Sequence, residues 1–283
     1  MRLFRLACAA AAVTTGIVGA GLTWAAVPAS ADVPASQPIQ YVTQSFYGSS
    51  SSVPVTGTVH CPSGSRVVSS GASAPGGQLV GIAPDINFHD AATATARLQG
   101  YLQVTVGCEP FAGITEVTSR TIGFPYGTGF RRGVVYCPAG MRAFGGGGYM
   151  AKPSGIISTD SYDMVSNSVS ADGTGWTFAA TTTAAKESLV VTTQCAPLRG
   201  SYVTQTGTPA PYFTPANVYG SCAPGYTALS GGVYLSKPDG TEVRSGLIDY
   251  SVPASGNRWY TDGTSFEDPA GGDKLVALVQ CIR

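Results

Sequence analysis

Cys137-Pro138-Ala139-Gly140, then Gly145-Gly146-Gly147-Gly148, then Leu189-Val190-Val191-Thr192-Thr193-Gln194-Cys195 is the stretch of sequence that decides the fold. A Pro/Gly pair directly after a cysteine marks a tight turn. The run ending at Cys195 alternates, so Leu189, Val191 and Thr193 share a strand face with the sulfur. The same two-part text stands at Cys61-Pro62-Ser63-Gly64 with Leu102 to Cys108, and at Cys222-Ala223-Pro224-Gly225 with Leu275 to Cys281. The first cysteine of each pair has glycine three residues later (Gly64, Gly140, Gly225) and again ten residues later (Gly71, Gly147, Gly232). Upstream lie Tyr41-Val42-Thr43-Gln44, Glu116-Val117-Thr118-Ser119 and Tyr202-Val203-Thr204-Gln205, whose valines precede the next cysteine by 19, 20 and 19 residues.

These coincident offsets predict three repeats of about 80 residues, at 41–115, 116–201 and 202–283. Short alternating stretches broken by Gly, Pro, Asn and Ser recur throughout, and no long 3.6-residue apolar period occurs after the N-terminus, so the expected class is all-β and antiparallel. Two architectures fit: three sheets around a common core with pseudo-threefold symmetry, as in a β-prism, or three small β-sandwich units in series. Each repeat begins almost directly after the previous one ends, which favours repeats packed as one domain. Ser49 to Ser52 and Thr208 to Pro215 read as loops within repeats.

Met1 to Ala31 reads as a signal peptide: Arg2 and Arg5 precede an apolar, Ala-rich run that ends in Ala29-Ser30-Ala31, an A-x-A cleavage pattern. Residues 32–40 then form an extended N-terminal segment. Removal of the leader takes Cys8 with it and leaves Cys61, Cys108, Cys137, Cys195, Cys222 and Cys281. An even set in a secreted chain is a disulfide framework, and no membrane insertion is expected once the leader is gone. Bonds within each repeat (61–108, 137–195, 222–281) need only local closure and are preferred; a ring joining 108–137, 195–222 and 281–61 is the rival. Each within-repeat bridge would remove roughly 4 kcal/mol of unfolded-state entropy. Lys and Arg number 16 and Asp and Glu 16, so the chain offers no electrostatic case for nucleic acid or an anionic surface. Charged residues are only 11% of the chain, as suits an extracellular β protein.

The Cys-Pro-x-Gly text, the glycine cluster and the Cys-ended strand resemble repeats of secreted actinobacterial proteins. They are also distantly similar to the vitelline membrane outer layer family. That resemblance implies a β-prism of three sheets and a sugar-related or structural role.

Several chemistries can be weighed from the residues. Gly145 to Gly148 lacks the following Lys-Ser/Thr and helix of a phosphate loop, which leaves close backbone packing or a bulge as its reading. His60 and His89 are the only histidines, and neither lies in a G-x-S-x-G or H-E-x-x-H setting; a triad of His89 with Asp85 is the hydrolase reading. The cysteine spacing is wrong for zinc, and Glu267, Asp268 and Asp273 read as turn residues before they read as a calcium loop. No motif requires a cofactor.

Acidic or amide residues beside aromatics in mid-repeat are better binding candidates: Asp85 and Asn87, Asp160 and Tyr162, Asp249 and Tyr250, with Trp176 and Trp259 following. A polar group beside an aromatic face suits a sugar ring, which presents both CH and OH surfaces. The expected function is therefore a secreted, non-catalytic module that binds glycans or a cell-surface protein. A structural or adaptor subunit is the alternative, and an extracellular hydrolase the second.

Overall fold

The computed structural model describes residues 39–85, 89–110, 116–123, 129–155, 157–158, 162–182 and 186–283. The leader at 1–31, most of the segment at 32–40, and the candidates Asn87 and Asp160 lie outside them, as does the side chain of Tyr162.

Sixteen strands, and no helix among the described residues, make an all-β antiparallel protein. Segment 41–115 supplies β1 (Gln40–His60), β2 (Arg66–Ser73), β3 (Gln78–Pro84) and β4 (Ala91–Glu109). Segment 116–201 supplies β5 (Glu116–Gly123), β6 (Gly129–Tyr136), β7 (Arg142–Ala151), β8 (Tyr162–Val169), β9 (Gly175–Thr182) and β10 (Ser188–Ala196). Segment 202–283 supplies β11 (Tyr202–Pro209), β12 (Ala216–Ser221), β13 (Thr227–Ser236), β14 (Gly246–Ala254), β15 (Arg258–Ser265) and β16 (Lys274–Ile282).

Within segment 116–201, β10 lies between β5 and β7, while β9 lies between β6 and β8. Segment 202–283 does the same, with β16 between β11 and β13 and β15 between β12 and β14. In segment 41–115 the long strands β1 and β4 take both parts. Gln40 to Ser50 pairs with the C-terminal half of β4 and Val55 to His60 with its N-terminal half, with a register break between them. Ser49 to Ser52, expected as a loop, thus continues the strand; of Thr208 to Pro215, also expected as a loop, Thr208 and Pro209 end β11 and 210–215 form the loop.

Neighbouring segments meet at three crossings, where β2 pairs with β14, β7 with β3 and β13 with β8. Three sandwiches in series would not make these pairs, because each crossing puts strands of two segments into one sheet. One buried apolar cluster accordingly runs through all three segments, from Val59 and Leu98 through Trp176 and Leu189 to Leu235 and Leu275.

The recurring glycines explain how the strands meet. Gly64, Gly140 and Gly225 have φ of +83°, +85° and +83° and occupy the third position of hydrogen-bonded turns, where a type II turn needs a positive φ. Gly71, Gly147 and Gly232 sit at the crossings. A Cβ on them would overlap the carbonyl oxygens of Ser251, Ile82 and Asn167 of the crossing strands. The Gly145 to Gly148 run is therefore a close-packing device, since a Cβ at Gly146 or Gly148 would also strike the ring of Trp176 or Phe178.

Disulfides join Cys61 to Cys108, Cys137 to Cys195 and Cys222 to Cys281, with Cα separations of 5.6, 5.6 and 5.7 Å. The within-repeat pairing is the one observed. Such bridges belong to a protein that folds in an oxidising environment.

Candidate functional site

Trp176 and Trp259 do not present their rings to a ligand. They are 2% and 1% exposed, stack on the bare backbones of Gly146 and Gly231, and donate their indole N–H groups to Asn167 Oδ1 (2.7 Å) and Ser251 Oγ (3.0 Å). A large ring opposite a glycine with its one polar group satisfied is core packing. Register shows why segment 41–115 has no Trp: Ala92 holds the place of the indoles, and Ile82 that of their hydrogen-bond partners.

Alternation then decides what faces outward. In β15, Trp259 and Thr261 point inward, so Arg258, Tyr260 and Asp262 point out; in β12, Ala216 and Val218 point inward and Asn217 and Tyr219 out. The register sets Tyr219 beside Tyr260, and Asp262 between Asn217 and Tyr250. Three tyrosine rings consequently meet on one face. Tyr219 and Tyr260 have centroids 4.9 Å apart at 45°, and Tyr250 meets Tyr260 edge-on at 5.6 Å. The Arg258 guanidinium lies 4.7 Å above the Tyr219 ring, a cation–π contact.

Two carboxylates border the rings. Tyr260 donates its hydroxyl proton to Asp262 Oδ2 at 3.1 Å. Asp249 occupies the β-bulge of β14, between Ile248 and Tyr250, and its Oδ1 is buried without a hydrogen-bond partner. Burial foremost, and then the nearby charge of Asp262, pushes the Asp249 carboxyl up to about 7. Burial likewise raises Asp262, against the hydrogen bond from Tyr260. Burial and then Asp262 raise Tyr260 to about 12, and Tyr250 is raised by burial, Asp262 and Asp249 in that order. The phenols thus stay protonated near neutral pH and can donate, Asp262 accepts from Tyr260, and Asp249, which titrates near 7, can donate or accept.

Of the sequence candidates, the structure brings Asp249 and Tyr250 together here. Asp85 lies elsewhere, at a cavity beside the β3–β7 crossing. Tyr219, Arg258, Tyr260 and Asp262 were missed, although the alternation in Arg258-Trp259-Tyr260-Thr261-Asp262 marks the last three once Trp259 is known to point inward, and Tyr219 is reached only through its pairing with Tyr260. His60 Nδ1 stands 3.7 Å from the Asp90 carboxylate at the surface, and His89 Nδ1 has no hydrogen-bond partner. Glu267 receives the Arg244 N–H and pairs with Lys237, while Asp268 accepts the N–H groups of Ala270 and Gly272. Among the described residues, no three His, Cys, Asp or Glu side chains converge as a metal site requires.

No protein-family model matches the chain, and no curated protein matches it.

Proposed function

We propose that this chain is a secreted, non-catalytic binding module, with its sheets arranged as the faces of a β-prism, and that it holds carbohydrate on the outer face of β12, β15 and β14. The observation that carries this reading is the contiguous array of Tyr219, Tyr260 and Tyr250 bordered by Asp262 and Asp249. Phenol rings offer flat apolar surface to the CH face of a sugar, and carboxylates accept from its hydroxyl edge.

A glycan array tests the proposal. The mature, disulfide-bonded chain is expected to bind a restricted set of glycans, and Tyr260→Ala and Asp262→Asn are each expected to weaken that binding at least tenfold with an unchanged near-ultraviolet circular dichroism spectrum. Binding to no glycan, or binding indifferent to both substitutions, overturns it.

A further inference from the structure

The register that sets Tyr219 beside Tyr260 and Asn217 beside Asp262 leads on, two residues at a time, to Pro215 beside Thr264 and then Phe213 beside Phe266. Phe213 and Phe266 meet there: their rings stack at 4.7 Å and 27°, and the Phe213 N–H donates to the Ser265 carbonyl at 3.0 Å. Tyr212 meets Phe213 edge-on at 4.4 Å. The ladder of β12 and β15 thus carries aromatic rings at both ends of its outer face, with the exposed Asn217 and Pro215 and the half-buried Asp262 between them. At about 3.3 Å per residue, the stretch from Tyr260 to Phe266 spans about 20 Å.

Phe213 is held in this place against its own preference. Its φ is +55°, and it takes the third position of the turn that Thr214 N–H closes on the Pro211 carbonyl at 2.9 Å. Gly64, Gly140 and Gly225 take that same position in the turns closed by Ser65 on Pro62, Met141 on Pro138 and Tyr226 on Ala223. A residue with a Cβ is disfavoured in the left-handed region, and a bulky one is an outlier there. Burial offsets little of this, because Phe213 is 62% exposed and its neighbour Tyr212 is 40% exposed. A phenylalanine kept where glycine serves elsewhere in the same chain, with most of its ring in solvent, marks a residue that presents its ring to something outside the fold.

We propose that Tyr212, Phe213 and Phe266 form a second aromatic subsite on the same binding face, and that the ligand is an extended, unbranched polysaccharide chain lying along β15 from the tyrosine array to this subsite. One pyranose ring cannot reach both ends of a strip about 20 Å long, whereas a chain of them can. The CH faces of its terminal sugars stack on the two sets of rings, and the hydroxyl edges between meet the Asn217 amide, which donates and accepts, and the Asp262 carboxylate, which accepts. Contacts at the two ends act on one molecule, so affinity grows as the chain lengthens until it spans the strip.

The proposal rests on the carbohydrate reading of the tyrosine array, and its test separates the two. The mature, disulfide-bonded chain is titrated calorimetrically with cello-, xylo- and chito-oligosaccharides from the disaccharide to the hexasaccharide. In at least one series affinity is expected to rise about tenfold or more with length, and Phe213→Gly should cancel that rise and leave the disaccharide's affinity unchanged. Glycine fits the turn, so this variant should keep the near-ultraviolet circular dichroism spectrum of the parent. Phe213→Asn accepts a positive φ without glycine's flexibility and should lose the rise as well, which assigns the loss to the ring and not to a loosened loop. Tyr260→Ala should weaken every length. Affinity that does not grow with length, or a rise that survives both Phe213 variants, overturns the second subsite and leaves the array standing. Binding to no oligosaccharide also overturns it, and the carbohydrate reading falls with it only where the glycan array is blank too. Capture of the chain by phosphatidylcholine vesicles that Phe213→Gly abolishes, with oligosaccharide affinities unchanged, would assign the loop to a membrane surface and overturn the proposal.

Discussion

The three crossings are built alike and finished differently. Each of β3, β8 and β14 carries a β-bulge, with Val80, Val165 and Asp249 as the extra residue and Gly81, Ser166 and Tyr250 directly after it. Val80 and Val165 are wholly buried, so two crossings put an apolar side chain where the third puts a carboxylate. The next residue decides the outer surface. Gly81 and Ser166 leave hollows, whereas Tyr250 adds a ring that joins Tyr260. A shared backbone device thus holds the segments together, and one or two side chains per crossing set what each face presents.

The largest expected effect comes from attacking what the crossings share. Gly147→Val would drive side-chain atoms into the Ile82 carbonyl of β3, where even a Cβ overlaps. Backbone cannot yield there without parting two segments, so the loss should be about 4 kcal/mol or more, measured by urea denaturation with disulfides intact. A loss under about 1 kcal/mol would mean that the crossing is not a fixed close approach.

The next test exploits what differs. Asp249 has its carboxyl raised to about 7, by burial first and Asp262 second, against 3.8 when unfolded. The folded state therefore holds the proton more tightly, and the stability this group contributes is complete below about pH 4 and is lost as pH rises through about 7. Asp249→Val, which copies Val80 and Val165, should raise stability by about 1–3 kcal/mol at pH 8 and by much less at pH 3.5, a range lowered to allow for solvent reaching the carboxylate. Thermal unfolding of both chains across that range checks it; a gain independent of pH would contradict a buried, proton-binding Asp249.

The sequence shows the shared parts well and the distinguishing parts poorly, for a physical reason. Turn glycines, cysteines and strand alternation are local, so Gly140, Cys137 and the run from Leu189 to Cys195 state their roles within a few residues. Which face of an alternating strand is buried is not local. Arg258-Trp259-Tyr260-Thr261-Asp262 reads equally well with either face inward, and only Gly231 on another strand settles it for Trp259. The crossings are harder still, since β2 with β14 and β13 with β8 each rest on two residue pairs between distant segments. Asp249 and Tyr250 were legible as an acid beside an aromatic; their partners Tyr219 and Tyr260 come from two other strands.

The smallest effect contrasts a buried hydroxyl that has no partner with one that has. Thr192 Oγ1 is buried without a partner, so Thr192→Val keeps the shape and removes a hydroxyl that nothing in the protein uses. Replacing an unsatisfied group with a methyl should be neutral or stabilising by up to about 1 kcal/mol. The equivalent change at Thr95 removes a hydroxyl bonded to Thr56 at 3.0 Å and should instead destabilise by about 1 kcal/mol. The two valine variants, compared by denaturant titration in the absence of sugar, therefore differ in sign. Equal destabilisation by both would mean that Thr192 already spends its hydroxyl inside the fold.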